Sequence, residues 1–153
     1  MMKFLTISLD LLLSVCPSLF QLDVNQHILV QQKLTWSDAQ TYCRSKYTDL
    51  STIRTQEDND QVSILLLNIT DSAELTATET GSLAVSSPPA AWIGLNKNAW
   101  LWSDRSNASY RRWSSYQSSS NANCVMLDTH TSPGDWYIQP CNEEHRFLCY
   151  TGK

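Results

Sequence analysis

The run Cys141-Asn142-Glu143-Glu144-His145-Arg146-Phe147-Leu148-Cys149 places two thiols, two carboxylates and an imidazole close together, a spacing that a zinc site could use. In an oxidising compartment the same thiols would pair as disulfides instead, and that is the better reading here. Asp128 and His130 share one segment and could hold a metal, but a solvated loop explains them more simply. Glu143 and Glu144 read as a charged surface turn. Catalysis would need a nucleophile beside a base. The three histidines are His27, His130 and His145, and no nucleophile-elbow motif accompanies any of them. These residues therefore point to no enzyme, no catalytic residue, no resident metal and no cofactor.

Disulfides require export, and the N-terminal residues are built for it. Met1-Met2-Lys3 carries one positive charge, the run from Phe4 to Phe20 is mostly apolar, and Cys16-Pro17-Ser18 offers small residues before a cut after Ser18. Asp10 interrupts the run, and a carboxylate at the centre of a membrane helix costs roughly 2.5–3.5 kcal/mol. The run is also short for a membrane span. We read residues 1–18 as a signal peptide and residues 24–151 as one domain of a secreted, extracellular protein with no membrane span after cleavage. Cleavage removes Cys16 and leaves Cys43, Cys124, Cys141 and Cys149, enough for two disulfides in any of three connectivities. The sequons Asn68-Ile69-Thr70 and Asn107-Ala108-Ser109 would be open to glycosylation on that route. The net charge is −4 and no Lys/Arg-rich run occurs, which argues against nucleic acid as a partner.

Two helices and several short strands must position these groups. A first strand is expected at His27-Ile28-Leu29-Val30. Thr35 reads as the N-cap of a helix over 36–46, with Asp38 in its first turn and Cys43 on its buried face. Thr55 and Asp58 repeat that signal before a helix over 56–68 whose inner stripe is Val62, Leu65 and Leu66. Residues 69–90 lack periodicity, are rich in Thr, Ser and Ala, and read as a loop. Strands follow at 92–95, 100–102, 110–113, 124–127, 136–138 and 147–150, with loops at 116–123 and at 128–134. Helices first and strands after make an α+β domain.

The motifs Trp36-Ser37-Asp38-Ala39-Gln40-Thr41-Tyr42-Cys43, Leu50-Ser51-Thr52-Ile53, Trp92-Ile93-Gly94-Leu95, Trp102-Ser103-Asp104 and Asn123-Cys124-Val125 stand in the order and spacing of the C-type lectin-like domain. So do Trp136 ahead of Pro140-Cys141, and Phe147-Leu148-Cys149. The chain resembles that family from about Val24 to Tyr150, in the style of short secreted fish lectins and mannose-receptor modules. The resemblance implies a fold of two helices on a small, mostly antiparallel sheet with a long-loop region. It also implies the pairs Cys43–Cys149 and Cys124–Cys141. Arg105 follows Trp102-Ser103-Asp104 where the family often has glycine, so this turn is expected not to keep a positive φ.

Sugar-binding members hold calcium in the long-loop region. They use a Glu-Pro-Asn or Gln-Pro-Asp triplet and an Asn-Asp pair directly after the tryptophan that corresponds to Trp136. Calcium takes six to eight hard oxygens, and sugar hydroxyls complete its shell. Here residues 114–123 contain no carboxylate and no proline, and Tyr137 and Ile138 follow Trp136. The expected function is recognition of a glycan or protein ligand on a cell or microbial surface without calcium. Two alternatives are a calcium-dependent lectin that recruits amide and backbone oxygens, and an ice- or mineral-surface binder. The family's ligand side points to Tyr116, Gln117, Asn121, Asn123, Asp135 and Tyr137 as binding residues, with Arg111 and Arg112 flanking them. Trp100, Trp102 and Trp113 could stack on sugar rings, but these positions mostly pack the sheet in this fold and are read as core.

Overall fold

Thr35 and Thr55 start the two helices by the same device. In the computed structural model, which describes residues 26–70, 89–97, 99–115, 122–129 and 134–152, the Thr35 hydroxyl accepts from the Asp38 amide at 3.3 Å and donates to its carboxylate at 2.7 Å. The Thr55 hydroxyl accepts from the Asp58 amide at 3.1 Å, and the Asp58 carboxylate accepts from the amides of Arg54 and Thr55 at 2.7 and 3.2 Å. Each aspartate also suits the positive end of its helix. The helices are α1 (Trp36–Lys46) and α2 (Gln56–Thr70).

The strands are β1 (Gln26–Leu34), β2 (Asp49–Leu50), β3 (Ala90–Asn96), β4 (Leu101–Trp102), β5 (Cys124–Asp128), β6 (Asp135–Gln139) and β7 (His145–Thr151). They form one sheet in the order β1-β7-β3-β5-β6, with β2 added to β7 and β4 added to β3. Only the β3–β7 pair is parallel among the described residues.

Period-two alternation divides the central strands between two cores. Ala91, Ile93 and Leu95 of β3, Val125 and Leu127 of β5 and Leu148 of β7 pack with Val62 and Leu66 of α2. Their neighbours Trp92, Cys124, Met126, Phe147 and Cys149 pack with Trp36, Ala39 and Cys43 of α1. Covering both faces explains why Ala91 to Leu95 is buried without interruption. Cys43 bonds Cys149 and so joins α1 to β7, and Cys124 bonds Cys141.

The structure corrects several expectations. Helix α2 continues through Ile69 to Thr70, because Ile69 is buried against the core, and Ala90 already belongs to β3. The loop read at 69–90 therefore does not include 69, 70 or 90, and residues 71–88 lie outside the described residues, as do the signal at 1–18, Cys16 and His130. Residues 110–113 form no strand; only Trp113 makes an isolated bridge. Arg105 does keep the left-handed conformation, at φ 62, and its amide donates to the Trp102 carbonyl at 2.9 Å. Its exposed side chain and the adjoining bond from the Ser106 amide to Asp104 at 2.9 Å let the turn carry a backbone cost of about 1–2 kcal/mol.

Candidate functional site

Strand β6 is the scaffold of the long-loop face. It pairs with β5 so that Val125 faces Ile138, Met126 faces Tyr137, Leu127 faces Trp136 and Asp128 faces Asp135. Alternation sends Trp136 and Ile138 inward, and both are buried, while Asp135 and Tyr137 are half-buried. An extended strap over 112–114 lies along this strand. The Trp136 amide donates to the Arg112 carbonyl at 2.8 Å, and the Ser114 amide donates to the Trp136 carbonyl at 3.0 Å.

Asn59 of α2 holds the strand from the other side. Its Oδ1 accepts from the Trp136 indole Nε1 at 2.7 Å, and its Nδ2 donates to the Gly134 carbonyl at 3.1 Å. The Gly134 amide donates to the Asp128 carbonyl at 2.9 Å. Gly134 stands at φ 87, the left-handed region that favours glycine, and a Cβ there would run into the Asn59 amide and the Ser63 hydroxyl.

A ladder of edge-to-face aromatic rings climbs from this base to the surface. Trp102 and Tyr110 each meet Trp136 with centroids 5.7 Å apart, Trp113 meets Trp136 at 5.8 Å, and Trp100 meets Trp113 at 5.2 Å. The lower rungs, Trp102 and Trp136, are buried, whereas Trp100 and Trp113 are 43% and 37% exposed. Of the three tryptophans read as core from the sequence, only Trp102 is core. Trp113 points outward because its neighbour Ser114 takes the inward position on the strap. Trp100 precedes β4 in a turn closed by its amide on the Lys97 carbonyl at 3.3 Å, and it has φ 50. That conformation costs a bulky residue on the order of 1–3 kcal/mol. Leu101 beside it is also exposed.

Charged groups brace the ladder. Arg112 donates to Asp135 at 3.1 Å and to Gln56 of α2 at 3.4 Å, and the Tyr110 hydroxyl donates to the same Gln56 oxygen at 2.7 Å. The Arg111 guanidinium lies over the Trp102 ring at 5.6 Å and donates to the carbonyls of Ala108 and Tyr110. Burial raises the Tyr110 phenol above its ordinary pKa.

Of the binding residues expected from the sequence, Asp135 and Tyr137 sit side by side on β6. Asn123 precedes β5, and its carbonyl accepts from the Lys97 amide at 2.7 Å. Tyr116, Gln117 and Asn121 lie outside the described residues. Asn68 is exposed in the last turn of α2, and Asn107 is exposed between β4 and the strap. The two positions after Trp136 do not fit a calcium ion. Ile138 presents buried hydrocarbon, Tyr137 presents a phenol, and the adjacent Asp135 carboxylate is engaged by Arg112. The zinc spacing at the C-terminal end is consumed by disulfides, and His145 pairs with Glu143 at 2.9 Å.

Sequence reasoning missed Asn59 and Gln56. The signal for Asn59 was its helical spacing with Val62 and Leu66, which puts an amide on the buried face. It also missed a buried Ser-His-Asp juxtaposition. The His27 Nδ1 lies 3.0 Å from the Ser51 hydroxyl, and its Nε2 lies 4.0 Å from the Asp58 carboxylate. Ser51 is fully buried and Asp58 caps α2, so this group supports the fold rather than offering a nucleophile.

The family model for the lectin C-type domain matches residues 32–151. The chain belongs to the C-type lectin domain family. Among relatives of this lectin domain, C-type lectin BML-2 of Bungarus multicinctus is 32% identical over 122 residues, covering 75% of this chain and 69% of that one. Human lithostathine superposes with a TM-score of 0.64 at 28% identity, over 83% of this chain and 91% of its own. A calcium-independent type II antifreeze protein superposes with a TM-score of 0.63 at 20% identity, over 90% and 95% of the two chains, a likeness of fold alone.

Proposed function

We propose that this lectin domain is a secreted recognition module that binds a glycan on a cell or microbial surface through its long-loop face, without calcium. The observation that carries the reading is the buried Ile138 beside Tyr137, where the family's calcium-binding pair would stand. A site without a metal must hold a sugar by stacking and hydrogen bonds. Asn123, Asp135 and Tyr137, with Tyr116, Gln117 and Asn121, are the proposed contacts. In this reading, residues 1–18 direct export and are removed, and the exposed Asn68 and Asn107 carry glycans.

The test is glycan-array binding of the refolded mature domain, once in calcium and once in chelator. Equal binding in both conditions supports the reading. Binding abolished by chelator overturns calcium independence, and a calcium-induced rise in melting temperature would corroborate that result. Silence in both conditions overturns the glycan ligand and directs the search to a protein partner.

A further inference from the structure

We infer that Trp100 and Trp113 form a stacking platform for the apolar face of a pyranose ring, an inference that rests on the glycan reading above. Five large apolar side chains are exposed among the described residues: Ile64, Leu67, Trp100, Leu101 and Trp113. Two of them, Trp100 and Trp113, meet at this end of the ladder. Their exposure is not a failure to pack, because the inner rungs of the same ladder are fully covered.

Trp100 and Trp113 meet at an interplanar angle of 68°, so that one ring stands as a wall beside the other. Aromatic rings attract C–H groups through the negative charge on their faces, and a pyranose presents several such groups on one side. Binding gains most when the platform is already ordered. Trp113 is held by the backbone bridge to Trp136 and by the T-shaped contact of the two rings, and the Trp136 indole is itself fixed by Asn59. Trp100 is set in place by a backbone conformation that a bulky residue disfavours, which is where a functional constraint outweighs local stability. A platform of two rings fits a sugar residue better than a protein partner, since a stable protein interface takes about 800 Å² from each side.

The experiment compares the full chain, produced by secretion, with Trp100→Gly, Trp113→Ala and Ile64→Ser on the glycan array in EDTA, alongside their melting temperatures. Trp100→Gly relieves the left-handed backbone, so its melting temperature should hold or rise while glycan binding weakens by about tenfold or more, the scale of one strong aromatic contact. Trp113→Ala should weaken binding similarly, and Ile64→Ser on α2 should bind like wild type. Unchanged binding in Trp100→Gly, or loss confined to an unfolded Trp113→Ala, overturns the platform and leaves the glycan reading standing. A wild-type chain that binds no glycan overturns that reading and the platform with it.

Discussion

The His27 imidazole sits 3.0 Å from the Ser51 hydroxyl inside the protein, and its second nitrogen is buried without a hydrogen-bond partner. Burial holds its pKa below the ordinary 6.5, and the nearby Arg54 charge adds to this against the opposing pull of Asp58. A histidine depressed on folding contributes stability that is present above pH 6.5 and lost as pH falls through the folded value. The melting temperature should therefore drop on acidification from pH 6.5 downward. His27→Gln should flatten that limb in a series of thermal melts at stepped pH, and an unchanged slope would refute the assignment.

At the alkaline end, Tyr150 behaves in the opposite sense. Burial first, and then its hydrogen bond to Asp104 at 2.9 Å, push its phenol up to about 12. Its contribution is complete below the ordinary value of 10 and is lost as pH rises through about 12. Tyr150→Phe should remove part of the alkaline destabilisation. Spectrophotometric titration of the folded protein should show one fewer late-ionising tyrosine.

Replacing Asn59 by Ala removes the acceptor of the buried Trp136 indole N–H and the side-chain donor to the Gly134 carbonyl. The expected cost is about 1–3 kcal/mol for an abandoned buried donor. Gly134→Ala should cost a similar amount, from its φ of 87 and from collision with Asn59 and Ser63. Chemical denaturation of each variant and of the double variant checks this. Because both residues act on the same contact, the double variant should lose less than the sum.

The disulfides should differ in weight. Cys43–Cys149 spans a separation of 106 residues and Cys124–Cys141 one of 17. On the chain-entropy model they contribute about 4–5 and about 3 kcal/mol. Cys43→Ser should abolish secretion, whereas Cys16→Ser should leave the secreted product unchanged. Intact-mass spectrometry of secreted protein that still retains Cys16 would refute cleavage after Ser18.

Local signals were readable in the chain. Both helix starts followed from a Thr with an Asp three residues on, because a cap is satisfied by its own neighbours. The strand cores followed from their apolar runs. Exposure of Trp113 was not readable, because it depends on which face of a strap meets β6, a relation between distant segments, and that of Trp100 follows from the left-handed turn ahead of β4. The left-handed Arg105 was likewise hidden, since side-chain type alone favours the opposite expectation and the turn is imposed by its flanks. Tyr110 to Trp113 had strand composition, but its pairing with β6 comes down to one bridging position, Trp113 opposite Trp136.

Gln26 pairs with Thr151, so the polypeptide enters and leaves this domain along adjacent strands. β1 is one edge of the sheet, and β6, which carries the aromatic ladder, is the other. The domain can therefore hang from a longer polypeptide or a solid support by a single point, its two leads about 5 Å apart. Tethering by either lead leaves the far edge clear, and several copies strung in series would each present that edge without crowding the thread that joins them.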